Sequence, residues 1–159
     1  MIDFKKARLL ALLIPAALLA GAYYFQLYEG LYPCEMCWWQ RYPHFAALPI
    51  ALLAFVVRNT GVRRVLVALA AMAILTSGLI GGFHAGVEYG WWQGLTSCST
   101  TVSGSNSEDF LKSILNAPLN RCDAAPWTLA NISIAGFNFI LSGLGGIIIL
   151  SSIWSRSKS

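Results

Sequence analysis

Cys34-Glu35-Met36-Cys37, followed by Arg41, is the stretch of this chain whose residue types and spacing can do chemistry. Two thiols separated by two residues can close a small, readily reduced disulfide, and their reactivity depends on how strongly the surroundings favour the thiolate. Pro33, directly before the pair, marks a helix start, which places the thiols in the partial positive charge of a helix N-terminus. In a continuing helix Cys37 and Arg41 stand at i and i+4 on one face, where the guanidinium can stabilise a Cys37 thiolate. Glu35 works against it, because a carboxylate inside the pair raises thiol pKa. Cys98 and Cys122 complete a set of four cysteines.

The elements that must position these residues are membrane spans. A chain of 159 residues with 57% hydrophobic and only 11% charged residues is too apolar for a soluble domain of its size. Long uncharged runs predict spans at 9–28, 42–57, 65–87 and 130–154. The expected fold is all-α, a single transmembrane domain built as an integral membrane four-helix bundle, with outer loops at 29–41 and 88–129. The second run is the weakest, reaching roughly 24 Å at about 1.5 Å per residue against a hydrocarbon core of about 30 Å. Ala20-Gly21-Ala22 resembles a signal-peptide cleavage site, but the apolar run continues past it through Leu27, as expected of a retained helix.

Cations orient the bundle, since cytoplasmic loops near spans carry the excess of Lys and Arg. Lys5, Lys6 and Arg8, then Arg58, Arg63 and Arg64, then Arg156 and Lys158 fall on one side. Arg41, Lys112 and Arg121 fall on the other, together with Glu29, Glu35, Glu88, Glu108, Asp109 and Asp123. Both termini are therefore expected in the cytoplasm, and the net charge of +4 reflects topology, with no nucleic-acid partner implied. All four cysteines fall on the outer side, where a bacterial periplasm lets disulfides persist.

The second outer loop carries its own helix signal. Ser105 and Glu108 fit a capping box, and Phe110, Leu111, Ile114 and Leu115 form an apolar stripe ending near Pro118, predicting a short amphipathic helix on the membrane surface or against the bundle. Glycines at 78, 81, 82 and 86 and at 136, 143, 145 and 146 suit close helix packing. Two thiol pairs on one face suit a relay in which one disulfide exchanges with an outside dithiol and the other passes electrons to a lipid-soluble acceptor. A quinone fits that role. His84 and Glu88, at i and i+4 near the outer end of the third run, and His44, just inside the second, are candidates to hold a quinone or supply its protons, with interfacial anchoring or helix-start packing as the alternative. Trp38, Trp39, Trp91, Trp92 and Trp127 suit interface belts, with one or two of them as alternatives for lining a quinone pocket.

Other classes fit less well. Four cysteines near two histidines can bind zinc or copper, but Cys98 and Cys122 form no second Cys-x-x-Cys and a thiol-rich metal site has no need of Arg41, so no metal is expected. A structural bundle with bracing disulfides would resist reduction. A vitamin-K-epoxide-reductase-like oxidase would carry its Cys-x-x-Cys on a late span.

Three segments resemble one family. Tyr-Pro-Cys-Glu-Met-Cys-Trp-Trp-Gln-Arg-Tyr-Pro-His from Tyr32 to His44, Gly-Trp-Trp-Gln-Gly-Leu-Thr-Ser-Cys ending at Cys98, and Cys122-Asp-Ala-Ala-Pro-Trp followed by Ser133-Ile-Ala-Gly-Phe-Asn138 are similar to the disulfide bond formation protein B family, over about residues 9 to 154. The resemblance implies an inner-membrane oxidoreductase that reoxidises a DsbA-like periplasmic thiol oxidase and passes the electrons to ubiquinone or menaquinone. It implies that Cys34 and Cys37 face the quinone, with Cys37 the contacting thiolate and Arg41 its cation. It also implies that Cys98 and Cys122 are the exchange pair, with Cys98 attacked by the partner, Cys122 leaving, and an inter-loop disulfide between Cys122 and Cys34 carrying electrons inward. The loop around Cys98 departs from better-known members.

Overall fold

Each of the four long helices among the described residues starts on a side chain that accepts the backbone N–H three residues on, satisfying one of the donors a helix N-terminus leaves open. Asp3 caps α1 (Phe4–Leu27) at Lys6 N, and Cys34 caps α2 (Glu35–Val56) at Cys37 N. Asn59 caps α3 (Thr60–Glu88) at Val62 N, and Ser133 caps α4 (Ile134–Ser152) at Gly136 N. This computed structural model describes residues 2–96, 106–108, 111 and 121–153. The expected surface helix falls largely outside the described residues, as do Ser105, Phe110, Ile114 and Leu115; Ser107, Glu108 and Leu111 are helical.

The architecture is the expected all-helical bundle, and α1, α3 and α4 are long and apolar enough to cross a membrane. α2, which carries Gln40, Arg41 and His44, is not in that set. It is nevertheless longer than its apolar run: 22 residues, about 33 Å, passing unbroken through Pro43 and Pro49. Cys37 and Arg41 thus belong to the helix itself, and Cys34 caps it. Its first residue is Glu35, not Pro33, because the Cys34 thiol takes the capping position.

The last helix begins later than the uncharged run suggests. Before it, β1 (Thr128–Leu129) pairs antiparallel with β2 (Ile132–Ser133), Thr128 opposite Ser133 and Leu129 opposite Ile132. Ala130 and Asn131 both have positive φ (51° and 62°), the backbone of a two-residue hairpin turn matched to strand twist. The Tyr89 hydroxyl at the end of α3 accepts from Ser133 N and donates to Asn131 O, tying the hairpin down and fixing where α4 starts.

α3 packs most extensively against α2 and α4. Three layers follow along the bundle. Farthest from the cysteines, Ala7, Ala11, Ala47, Ala51, Ala54, Ala70 and Ala71 form a small-residue core with Val67, Ile74 and Ile149. With lipid on the outside, such seams hold helices by close packing. The middle layer is polar: Gln40, His44, Ser77, Asn138 and Ser142 are all buried. At the cysteine end Cys34, Met36, Val87 and Cys122 cluster, with Cys37, Trp39 and Phe83 against them.

Gly81 lets the middle layer close. A Cβ there would lie 2.9 Å from both Ala135 O and Asn138 Nδ2, so α3 and α4 would have to part. Gly81→Ala is expected to destabilise the bundle by about 1–3 kcal/mol, whereas Gly21→Ala, with open space around it, should leave stability unchanged or raise it by up to about 1 kcal/mol. Denaturation midpoints in detergent check both.

Candidate functional site

Cys34 and Cys37 are free thiols with sulfurs 2.8 Å apart. Cys34 stands in extended backbone at the head of α2, and its Sγ accepts the Cys37 N–H at 3.3 Å. A sulfur serving as helix cap is placed where negative charge is favoured. Both groups precede the apolar run that begins at Tyr42, outside the membrane-spanning part. The hydrogen bond from the Cys37 thiol, aided by His84 and opposed by burial, brings Cys34 down to about 5. The same hydrogen bond, with burial added, pushes Cys37 up. In the free-thiol form the anion therefore sits on Cys34.

Arg41 is buried and spends its guanidinium on α1: Nη1 donates to Gln26 Oε1 at 2.6 Å and Nη2 to Ala22 O at 3.3 Å. It also lies over the rings of Tyr23 and Trp38, 5.1 and 5.0 Å from their centres. Its charge is thus held beside Cys37, four residues along the same helix, without a direct hydrogen bond to that sulfur among the described residues.

Cys122 approaches the first pair from the loop. Cys122 is fully buried and disulfide-bonded, and Thr96 Oγ1 donates to its sulfur at 3.5 Å. Cys98 lies outside the described residues. The Cys34 sulfur, the Cys122 sulfur and an imidazole nitrogen of His84 all lie within 4.8 Å of one another, so a thiolate on either cysteine is next to the other's sulfur, as thiol–disulfide exchange requires. His84 Nε2 is 3.7 Å from Cys34 Sγ and 3.8 Å from Glu88 Oε1.

Cys37, Arg41, His44, His84 and Glu88 all line one cavity of 340 Å³, walled otherwise mainly by apolar side chains of α1 and α4 and by Trp127. A second cavity of 340 Å³, toward the loops, reaches Cys34 and shares Cys37, His84 and Glu88 with the first. The fold thus brings together every expected site residue that is described. Trp127 lines the first cavity and packs at a tilt against Phe25, and Trp38 lies beneath Arg41; neither is simply a belt residue.

Four participants escaped the sequence reading. Gln40, Ser77, Asn138 and Ser142 connect the two histidines through a buried hydrogen-bond lattice. Asn138 Nδ2 donates to Gln40 Oε1 at 2.9 Å, and Gln40 Nε2 lies 2.8 Å from His84 Nδ1. His44 Nε2 lies 2.9 Å from Ser77 Oγ and 3.1 Å from Asn138 Oδ1. The signal was present, as amides and hydroxyls inside apolar helices are costly unless partnered.

Alkylation of the protein with its first pair reduced should modify Cys34 before Cys37. Because the thiolate exists above a pKa of about 5 and is lost as pH falls through it, the rate should be near its plateau at pH 7 and half-maximal near pH 5. Mass spectrometry of iodoacetamide-treated protein across pH checks this; first modification at Cys37, or a midpoint above about pH 8, the range of an ordinary thiol, would refute the assignment.

The family model described as "Disulfide bond formation protein DsbB" matches residues 4–152. The chain is 33% identical to Disulfide bond formation protein B of Verminephrobacter eiseniae, over 94% of this chain and 87% of that one. It is 31% identical to the protein of that name from Azoarcus sp., over 89% and 87%. The one from Acidovorax sp. is 29% identical, over 94% and 88%. No solved structure matches. With a thiol pair capping one helix, a disulfide against it and apolar helices long enough to cross a bilayer, the chain belongs to the disulfide bond formation protein DsbB family, as a membrane protein of disulfide chemistry.

Proposed function

We propose that this protein reoxidises a DsbA-like periplasmic thiol oxidase and passes the electrons to membrane quinone, making disulfides de novo. The observation that carries the reading is the junction at Cys37: a thiol pair within exchange distance of the Cys122 disulfide on one side and open to a largely apolar cavity on the other. The bundle is one transmembrane domain in the bacterial inner membrane, its termini cytoplasmic and its cysteines periplasmic.

Electrons enter as a dithiol. A partner thiolate attacks Cys98, the Cys98–Cys122 bond breaks, and Cys122 leaves as thiolate. Closure of the partner's own disulfide then frees Cys98 as a thiol. Cys122 attacks Cys34 of the oxidised first pair, forming the inter-loop disulfide and releasing Cys37 as thiolate; Cys98 attacks Cys122 to restore the second disulfide and release Cys34. The sum is one dithiol oxidised and one disulfide, Cys34–Cys37, reduced, the thiol state described above. A quinone in the first cavity, the one lined by Arg41 and His44, would supply the two-electron, two-proton acceptor that restores Cys34–Cys37. Cys37 and Arg41 would hold its head group and the developing charge, and His44, His84 and Glu88 the remaining polar contacts. Lipid surrounds the apolar walls. Ubiquinone and menaquinone both fit an apolar cavity of this kind.

The energetics favour such an acceptor. DsbA has an established potential near about −120 mV, and about 30 mV is tenfold for a two-electron couple, so its dithiol gives up electrons only to a stronger oxidant. Detergent-purified protein, given a reduced thioredoxin-like oxidase and ubiquinone or menaquinone, should show quinone reduction by absorbance that depends on both proteins; no turnover with either quinone refutes the reading. Arg41→Ala should slow quinone reduction, by about tenfold if one charge-assisted contact is lost, and leave exchange at Cys98 intact. Cys98→Ala should abolish oxidation of the partner and spare quinone reduction by a small dithiol.

A further inference from the structure

We infer that Asn138 and Gln40 are positioning residues that lock His84 in its Nε2–H tautomer, so that His84 donates a hydrogen bond to the Cys34 sulfur. The inference deepens the proposed function, resting on it only for the use made of the Cys34 thiolate.

Backbone carbonyls pin the two amides. A carbonyl oxygen can only accept. Asn138 Nδ2 lies 3.1 Å from Ser77 O, and Gln40 Nε2 lies 3.2 Å from Met36 O, so each NH2 group must face that carbonyl. With those faces set, Asn138 Nδ2 donates to Gln40 Oε1 at 2.9 Å, and the Gln40 NH2 group points at His84 Nδ1 at 2.8 Å. A donor facing Nδ1 requires a bare nitrogen there, leaving the imidazole proton on Nε2. The other edge of the ring agrees, since among the described residues Nε2 has acceptors at Cys34 Sγ, 3.7 Å away, and Glu88 Oε1, 3.8 Å away, and the Cys122 backbone also bonds to the ring. The chain from α4 through α2 to α3 thus ends in an N–H directed at a sulfur that must be an anion to react.

Asn138 also orients the second histidine. Its Oδ1 already accepts from Ser142 Oγ at 2.8 Å, and Ser77 Oγ donates to Gln40 O at 2.7 Å. His44 Nε2, between Asn138 Oδ1 and Ser77 Oγ, must therefore carry the proton, and its Nδ1 is buried without a partner among the described residues. His44 is an internal reference in the same molecule.

In the thiol state the His84 hydrogen bond adds to that of the Cys37 thiol in favouring the Cys34 thiolate. A bound quinone would take two electrons and one proton from the Cys34 thiolate and the Cys37 thiol, with a second proton from water, giving one S–S bond and one quinol. The titratable and charged groups around the Cys34 sulfur are Cys37 on α2, His84 and Glu88 on α3, and Arg121 across the outer cavity; Cys122 is held in its disulfide.

The chain has two histidines, so nitrogen-15 NMR of histidine-labelled full-length protein in detergent, with the first pair reduced, reads each tautomer directly. His84 with Nε2 protonated and Nδ1 bare is the expected result; protonation at Nδ1, as the other tautomer or as imidazolium, overturns the inference without any variant. Asn138→Asp, which keeps the shape and removes the donor, should move His84 toward the Nδ1–H form. It should also shift the pH profile of Cys34 alkylation upward, about tenfold slower at a pH near the midpoint for the loss of one hydrogen bond to a charged group. Gln40→Met should do the same, and the double variant no more than either alone. An unchanged tautomer and profile in both variants overturns it. Failure of quinone reduction with the tautomer in place counts instead against the proposed function.

Discussion

A buried amide in an apolar bundle must satisfy every one of its hydrogen-bonding groups, and Asn138 does so only when three helices are in register. Its NH2 group reaches Gln40 on α2 and Ser77 on α3, and its oxygen takes Ser142 on its own helix and His44 on α2. In hydrocarbon an unpaired polar group costs several kcal/mol, whereas apolar helix surfaces facing one another gain little over facing lipid. Specificity of assembly therefore falls to this polar layer and to the glycines that let it close, while the alanine-rich layer beyond it supplies close packing.

The layer also separates two environments. On one side lies the small-residue core, which any well-packed bundle could have. On the other lies a thiol pair whose reactivity is set by three local facts: a helix N-terminus, a neighbouring thiol that donates, and an imidazole held at the sulfur. Cys34 caps α2 with an atom that gains from being charged, so secondary structure and chemistry are coupled in one residue. Arg41, on the same helix, is fixed by α1 through Gln26 and Ala22, which sets its charge at the wall of the cavity and frees the Cys34 site from dependence on it.

The hairpin before α4 has a positional role as well. By ending the approach to α4 at Ser133 and pinning it to Tyr89, it fixes the register in which Asn138 and Ser142 enter the bundle. The chain that carries Cys122 to the first pair is joined to this hairpin, so the loop disulfide and the polar layer are positioned from the same anchor.

Apolar run length by itself pointed to a membrane protein built of four helices, three of which are long and apolar enough to cross a bilayer among the described residues, and the Cys-x-x-Cys with Arg41 marked where chemistry would occur. Helix periodicity put Cys37 and Arg41 on one element. The tertiary structure decided which thiol carries the charge, because that depends on a cap, a 2.8 Å sulfur contact and a histidine fifty positions away. It also decided that Gln40, Ser77, Asn138 and Ser142 act together, since residues from three helices share no local pattern until packing makes them neighbours. The late start of α4 was invisible for a similar reason: Ala130 and Asn131 take up a turn backbone that the uncharged run around them does not advertise, and a tyrosine from another helix holds it. Sequence fixes what is local or what the solvent enforces; which polar groups meet in the interior is settled only by the register of the helices.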